Sequence, residues 1–165
     1  MPEHVVSGFE CGHQYLNVFL RDQALDETQR DISRTYLLLE RSAGTFVLAG
    51  YFTLHADSIY RERSVGAGTY LFPLVYLSAL ARDVRYKRQG VGDVLLFEAF
   101  RCVVEAANVV GVAGIHLDTT REGRSLYEEH GFGEHPEGGN RLLISIADVR
   151  AIVTEANSEA TYVNA

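Results

Sequence analysis

The sequence predicts a mixed α+β fold, with a central mixed β-sheet and helices on both of its faces. Two observations predict it. Helix-type and strand-type hydrophobic patterns alternate along the chain, in the order helices, hairpin, strand and helix, strand and helix, and a last strand. In addition, 165 residues of which 47% are hydrophobic suit one hydrophobic core. We therefore expect a single domain over residues 1–165.

The N-terminal part predicts short helices followed by a hairpin. In residues 12–30, apolar side chains recur at helical spacing opposite polar ones, which indicates one or two short helices. Residues 35–40 and 45–54 are rich in β-forming side chains and are separated by a short turn with a glycine, which indicates a hairpin. Residues 58–68 are polar and predict only a loop or a weak strand.

The rest of the chain alternates strands and helices. Residues 74–81 are apolar and predict a buried central strand, and residues 90–108 carry an apolar face at helical spacing and predict the helix that follows. The later elements are a strand at 112–117, a short helix at 121–130 closed by Gly131, a strand at 141–146, and a short C-terminal helix and tail at about 149–165.

Composition argues against several classes of protein. Cys11 and Cys102 lie far apart and show no metal-ligand spacing with the six histidines, which argues against a disulfide framework and a metal site. No apolar stretch reaches the length of a membrane span, about 18 residues, and the N-terminus does not begin a signal peptide. We expect a cytoplasmic protein with no membrane partner. The net charge of -7 argues against binding nucleic acid through overall charge.

The most informative segment is the glycine turn, residues 87–93, which lies between the predicted central strand and its helix. Gly90 and Gly92 let the backbone approach a ligand, and the N–H groups of the helix's first turn favour an anion. The NTP-binding pattern G-x-x-x-x-G-K-(S/T) is absent, and the dinucleotide pattern G-x-G-x-x-G is only half matched. Nearby cations that suit phosphate groups are Arg82, Arg85, Lys87 and Arg88. The turn predicts a phosphate site; the alternative is a helix start that needs a tight bend.

Three motifs resemble those of the GNAT N-acetyltransferase superfamily. Lys87-Arg88-Gln89-Gly90-Val91-Gly92 is similar to the acyl-CoA turn (Q/R)-x-x-G-x-(G/A), with lysine where Gln or Arg is usual. Leu80-Ala81-Arg82-Asp83 resembles the L-A-V-D that ends the family's central strand, and Leu126-Tyr127-Glu128-Glu129-His130-Gly131-Phe132 resembles its F-Y-x-x-x-G-F. The resemblance implies an acyltransferase that moves an acetyl group from acetyl-CoA to a primary amine, with a splayed central strand and no metal.

The same resemblance implies where the site lies. Backbone groups of Leu80, Ala81 and Arg82 would hold the pantetheine of acetyl-CoA almost as an added strand. The pyrophosphate would meet the glycine turn, whose residues are Lys87, Arg88, Gln89, Gly90, Val91, Gly92 and Asp93. Tyr127 would place its phenol near the sulfur and serve the leaving thiolate as a proton donor. No general base is identified, and the weak candidates are His55, Glu62, His116 and Asp118.

A narrower resemblance links the N-terminal half to the GNAT toxins of type II toxin–antitoxin modules. Its carriers are Phe9-Glu10-Cys11, Leu16-Asn17-Val18-Phe19-Leu20, Thr35-Tyr36 and Gly50-Tyr51-Phe52-Thr53-Leu54, which are similar to F-x-C, L-x-x-F-L, R-T-Y and G-Y-Y-x-L. This resemblance implies aminoacyl-tRNA as acceptor, a ribbon-helix-helix antitoxin and a homodimer. Ala79 departs from it, since arginine is usual there. The alternatives are acetylation of a small-molecule amine or of a protein N-terminus or lysine, and a non-catalytic CoA-binding module.

Overall fold

A computed structural model of the chain describes residues 6–42, 44–62 and 68–163. These residues form two compact units. The described parts of Met1–His55 and Leu77–Ala99 make the first unit, and those of Ala56–Tyr76 and Phe100–Ala165 make the second.

Among the described residues, six strands form one mixed sheet. They are β1 (Arg34–Ser42), β2 (Thr45–Glu62), β3 (Thr69–Arg82), β4 (Gly114–Asp118), β5 (Gly133–Glu134) and β6 (Arg141–Ser145). Their order in the sheet is β1-β2-β3-β4-β6-β5. β3 and β4 are parallel, whereas β1 with β2, β4 with β6 and β5 with β6 are antiparallel. The predicted mixed α+β class is confirmed.

The parallel pairing between β3 and β4 is short. In the described part of the chain, only Val75 with Ile115 and Tyr76 with His116 are in register, although β3 has 14 residues. A long strand with so short a parallel ladder fits the splayed central strand that the resemblance implies.

The helices lie before, between and after the strands. The N-terminal ones are α1 (Gln14–Val18), a π-helical turn (Phe19–Gln23) and α2 (Ala24–Gln29), and the later ones are α3 (Val91–Ala107), α4 (Arg124–Glu129) and α5 (Ile146–Val163). α3 begins directly after Gly90, where the sequence predicts its start. Within the described ranges, no helix is long and apolar enough to span a membrane.

The core of the first unit centres on Tyr51 of β2. Its side chain is 0% exposed, its hydroxyl donates to the carbonyl oxygen of Leu16 at 2.8 Å, and its ring packs edge-on against Phe9 with 5.5 Å between centroids. These contacts hold α1 against β2. The other buried members of this core are Phe19, Leu20, Ala24, Leu48, Ala79 and Ala81.

The core of the second unit centres on β4 and β6. Ile115 lies opposite Ile144 and Leu117 lies opposite Leu142, and all of these side chains are buried. A Cβ atom at Gly114 would stand 2.3 Å from the carbonyl oxygen of Ile144. The glycine is therefore required for the two strands to approach so closely.

Several element predictions were incomplete or wrong. β2 continues as a regular strand to Glu62, although residues 58–68 predicted only a loop or weak strand; residues 63–67 lie outside the described part. The C-terminal helix was predicted to be short, but α5 has 18 residues. Two elements were missed: the two-residue strand β5, which exists through its pairing with β6, and a 3₁₀ turn at Val84–Tyr86.

Candidate functional site

The C-terminal half of β3 has one buried face and one half-buried face. Leu77, Ala79 and Ala81 are buried, whereas Leu80 and Arg82, which alternate with them, are half-buried. A strand presents successive side chains to opposite faces, so this alternation separates the core face from a partly exposed face. The stretch that the resemblance assigns to pantetheine therefore has one partly exposed side.

The glycine turn has an unusual backbone. Arg88 and Gly90 adopt left-handed conformations, with φ of 62° and 73°. The N–H of Gln89 donates to the carbonyl oxygen of Tyr86 at 3.4 Å. The N–H of Val94 donates to the carbonyl oxygen of Gly90 at 3.1 Å, where α3 begins. Left-handed residues in a turn gather successive N–H groups into a concavity, and the first N–H groups of a helix have no acceptor within it. Both features favour an anion here.

Three of the four cations at or next to the glycine turn have no ion-pair partner in the described part of the chain. Among those residues, no carboxylate forms an ion pair with Arg82, Lys87 or Arg88. Arg85 differs, because its Nε and Nη2 atoms donate to the two carboxylate oxygens of Asp83 at 2.7 and 2.8 Å. Of the four cations predicted to suit phosphate groups, Arg85 is therefore engaged by the protein itself.

The carboxylate of Asp83 is a feature that the sequence analysis missed. It is only 1% exposed, and it follows β3 directly. Besides Arg85, it accepts a hydrogen bond from the backbone N–H of Glu10 at 3.1 Å. Burial alone would raise the pKa of Asp83, but the hydrogen bonds from Arg85 and Glu10 outweigh burial and hold the pKa below its usual value. Asp83 is therefore a charged group buried at the entrance to the glycine turn.

Tyr127 lies on α4 in the second unit. Its ring packs edge-on against Phe132 at 5.6 Å, and Phe132 stacks on Phe100 at 5.9 Å. The helix closes at Gly131, whose φ is 89°, and the N–H of Phe132 donates to the carbonyl oxygen of Tyr127 at 3.1 Å. The Y-x-x-x-G-F motif thus folds back so that its phenylalanine fixes the tyrosine ring.

The hydroxyl of Tyr127 is protonated at neutral pH. Among the described residues, none accepts a hydrogen bond from it. Burial raises the pKa of Tyr127 to about 12, so the hydroxyl stays protonated throughout the neutral range. This protonation state fits the predicted role of proton donor, which stays a prediction.

Two of the candidate general bases are engaged in a polar cluster of the second unit. His116 is buried, and its Nε2 lies 2.9 Å from Oδ2 of Asp57. Asp118 accepts hydrogen bonds from the hydroxyl of Tyr76 at 3.0 Å and from Nε of Arg141 at 3.1 Å. Burial lowers the pKa of His116, although Asp57 opposes the shift. Neither candidate is a free base, and the pairing of His116 with Asp57 had no signal in the sequence.

The predicted donor-binding residues thus form one stretch of the first unit, from Leu80 to Asp93, interrupted by Asp83 and the 3₁₀ turn. Tyr127, the predicted proton donor, belongs to the second unit. Their roles in binding and catalysis remain predictions.

Comparison with known proteins finds toxins among those that are similar to the chain. No model of a known protein family matches the chain. The chain is 26% identical to the probable toxin TacT of Sinorhizobium fredii, over 91% of this chain and 90% of that protein. It is 29% identical to a tRNA-acetylating toxin of Mycobacterium tuberculosis, over 90% of each.

Solved structures agree with these relatives. A Tyr→Phe variant of the toxin AtaT, bound to the C-terminus of the antitoxin AtaR and to acetyl-CoA, matches with a TM-score of 0.76. It is 27% identical, over 88% of each chain. The resemblance to the GNAT toxins of toxin–antitoxin modules that the motifs predicted is thereby confirmed.

Proposed function

We propose that the protein is a toxin of the acetyltransferase type, which moves the acetyl group of acetyl-CoA to the amino group of the amino acid on aminoacyl-tRNA. The observation that carries the proposal is the glycine turn, where left-handed Arg88 and Gly90 accompany cations that have no ion-pair partner among the described residues, at the start of α3. The M. tuberculosis relative is a tRNA-acetylating toxin, and the AtaT variant binds acetyl-CoA, which supports both substrates.

The donor is proposed to bind along the first unit. The backbone of Leu80, Ala81 and Arg82 pairs with the amides of pantetheine, as peptides pair with sheet edges. The N–H groups of residues 88–93 receive the pyrophosphate, because helix N-termini and left-handed turns favour anions. The side chains of Arg82, Lys87 and Arg88 are left to neutralise the phosphates, since none of them has an ion-pair partner among the described residues.

The transfer itself forms an N–C bond and breaks a C–S bond. The amine attacks the thioester carbonyl, the thiolate departs, and the proton that the amine loses balances the thiolate in the products. Tyr127, with its pKa of about 12, is assigned to the thiolate. A free thiol has a pKa of about 8.5, so complete transfer from the phenol would be unfavourable. Tyr127 therefore stabilises the leaving sulfur mainly through a donated hydrogen bond.

The acceptor does not require a dedicated base. An α-amino group has a pKa of about 8, so a useful fraction of it is neutral at physiological pH. Water can then carry away the proton that is released after attack. This agrees with the engagement of His116 by Asp57 and of Asp118 by Arg141 in the second unit.

The biological setting is proposed from the same relatives. AtaT is bound by the antitoxin AtaR, and we propose a ribbon-helix-helix antitoxin as the partner that neutralises this chain. A homodimer is proposed with it. We also propose a cytoplasmic location, because charged tRNA and acetyl-CoA are found in the cytoplasm.

The test is thiol release from acetyl-CoA, followed with aminoacyl-tRNA, uncharged tRNA and a panel of free amines. We expect turnover with aminoacyl-tRNA, and a fall in kcat of about 100-fold or more in Tyr127→Phe. Tyr60→Phe is the matched control, because that phenol is 74% exposed in the same unit. Turnover with free amines alone would favour the small-molecule or protein alternative. Full activity of Tyr127→Phe would show that this residue has no role in the mechanism. If the wild type turns over no acetyl-CoA with any acceptor, the proposal that the protein is an acetyltransferase is wrong.

A further inference from the structure

We propose that Asp83, together with Arg85, is a positioning residue that couples the glycine turn to the N-terminal segment (residues 10–12), so that donor binding and the order of this segment depend on each other. The inference rests on the proposed donor site and extends it. It assigns a function to a buried carboxylate that contacts no part of the proposed ligand path through its own side chain.

The carboxylate of Asp83 is saturated by hydrogen bonds. Oδ1 accepts from the backbone N–H of Arg85 at 2.9 Å and from its Nε at 2.7 Å. Oδ2 accepts from Nη2 of Arg85 at 2.8 Å and from the backbone N–H of Glu10 at 3.1 Å. Because the first of these contacts caps the 3₁₀ turn, Asp83 sets how the chain leaves β3 toward the glycine turn.

The backbone around Asp83 repeats the same connection. The N–H of Asp83 donates to the carbonyl oxygen of Ala49 on β2 at 2.8 Å, and the N–H of Val84 donates to that of Glu10 at 2.8 Å. Glu10 and residues 83–84 are therefore joined in both directions, through one side chain and one backbone carbonyl. A change in the path of either segment breaks a hydrogen bond to the other.

The N-terminal segment is fixed on its other side to α1. The carboxylate of Glu10 accepts from the N–H of Gly12 and from Nδ2 of Asn17, each at 2.7 Å. Oδ1 of Asn17 accepts in turn from the N–H of Cys11 at 3.0 Å. The N–H of Lys87 in the glycine turn donates to the carbonyl oxygen of Val84 at 3.3 Å, so a continuous chain of hydrogen bonds runs from the glycine turn through residues 83–84 and Glu10 to α1, entirely within the first unit.

Coupling follows from this arrangement. If bound donor restricts the glycine turn, it also restricts Asp83 and the N–H groups that Asp83 holds, and the free energy of this effect is the same in both directions. Removing the charge of a buried, fully bonded carboxylate leaves both Arg85 and the N–H of Glu10 poorly satisfied. The turn would then lose its fixed conformation, and donor binding would have to restore it.

The test uses Asp83→Asn in the full-length protein, with Asp26→Asn as the matched control. Asp26 pairs with Arg30 on the surface of the same unit, and its side chain is 63% exposed. We expect Asp83→Asn to raise the Kd and KM for acetyl-CoA about tenfold while kcat at saturating donor stays within about twofold. The control should match the wild type in all of these quantities. A purely structural defect would lower kcat and the folded fraction instead.

Hydrogen–deuterium exchange supplies the second readout. In the wild type, acetyl-CoA is expected to slow exchange of the N–H groups of Glu10, Cys11 and Val84, whereas in Asp83→Asn they exchange faster and respond little to donor. Glu10→Ala keeps the pair of Asp83 with Arg85 but removes the acceptor of the Gly12 N–H and of Nδ2 of Asn17, so it should weaken donor binding only about twofold while the donor-dependent protection of residues 10–12 falls. This variant of Glu10 also tests the coupling if Asp83→Asn does not fold.

The outcomes separate this inference from the proposed function. No binding of acetyl-CoA by the wild type contradicts the function, and with it the donor half of the coupling. If the wild type binds acetyl-CoA and Asp83→Asn binds it equally well, the coupling is contradicted but the proposed function is not. So does a loss of affinity in Asp83→Asn that leaves the donor-dependent protection of residues 10–12 intact.

Discussion

Gly50 sets the distance between β2 and the proposed pantetheine strand. A Cβ atom at this position would lie 2.7 Å from the carbonyl oxygen of Ala81, 2.7 Å from Cδ1 of Leu95 and 3.3 Å from Cα of Arg82. The first and last of these neighbours are backbone atoms of β3 and cannot rotate away. The side chain of Leu95 is only 1% exposed and is held by the core around it.

Gly50→Ala is therefore predicted to be destabilising and to weaken donor binding. The added methyl group forces β3 away at residues 81–82, which we expect to lower the free energy of unfolding by about 1–3 kcal/mol. Urea denaturation measures this, and titration with acetyl-CoA measures the loss of affinity. Gly111→Ala is the control, since nothing lies within 4 Å of its Cβ position. Equal stability of the two variants would show that β3 can yield at this point.

At the scale of elements, the glycine turn and the first turn of α3 together form the proposed anion site. The left-handed φ of Gly90, 73°, directs the chain into the helix, and α3 supplies N–H groups and the positive end of its dipole. A Cβ atom at Gly90 would meet only Oδ2 of Asp93, at 3.9 Å. Space is thus available for a side chain, although any side chain at this φ strains the backbone, so two substitutions of similar shape must be compared.

Gly90→Asp and Gly90→Asn make a matched pair at this turn. Both residues tolerate the left-handed region, and they differ in charge but hardly in shape. We predict that Gly90→Asn lowers the affinity for acetyl-CoA a few-fold, and that Gly90→Asp lowers it about tenfold more, because its carboxylate opposes the phosphates. The difference between the two should shrink at high salt, which screens an exposed charge. Calorimetric titration with acetyl-CoA at low and high ionic strength gives the comparison. If the two variants have the same affinity for acetyl-CoA, its phosphates do not bind at this turn.

The elements that the sequence predicted well are those with local signals. The glycine and the apolar face fixed the start of α3 within one residue, and the glycine between two β-rich runs marked the hairpin of β1 and β2. β5 has two residues and no local pattern, because it forms only by pairing with β6. For α5 a signal was present, since Ile146, Val149 and Val153 recur at helical spacing with no glycine or proline between them.

The residues of the candidate site also divide into those with a local signal in the sequence and those without one. Motifs marked the glycine turn and Tyr127, because close backbone approach and a fixed aromatic ring each depend on a few adjacent residues. The contact of Asp83 with Glu10 joins residues 73 positions apart, and nothing in a single sequence pairs them. The pairing of His116 with Asp57 likewise depends on two separate strands. Such polar contacts arise from the tertiary fold, so they became visible only in the structure.

At the scale of the whole molecule, the chain carries a net charge of -7 with its six histidines counted as neutral, and two of these histidines are buried in the second unit. Nδ1 of His135 accepts a hydrogen bond from the N–H of Glu137 at 3.1 Å, so a proton added there would break this bond. His116 lies beside it, with 5.6 Å between the ring centroids. The charged groups around the pair are Asp57, Asp118, Glu137 and Arg141.

These histidines predict that stability falls on mild acidification. Burial lowers the pKa of His116 and of His135 below the value of 6.5 for an exposed histidine, despite the nearby carboxylates. The unfolded chain then takes up protons at a higher pH than the folded chain, so stability is complete above pH 6.5 and is lost as the pH falls through the lowered values. Asp83 does not interfere, because its depressed pKa affects stability only below its ordinary value of 3.8.

Urea denaturation at pH 7.5, 6.5 and 5.5 measures this loss, with His135→Gln compared with His13→Gln. Glutamine at position 135 cannot titrate, so this variant, although less stable at pH 7.5, should lose less stability than the wild type by pH 5.5. His13 is exposed, and its variant should follow the wild type. If the wild type is equally stable at all three pH values, protonation of the buried imidazoles does not lower the free energy of unfolding, and the prediction is wrong. If His135→Gln loses as much as the wild type, the acid sensitivity must come from His116 or from elsewhere in the chain.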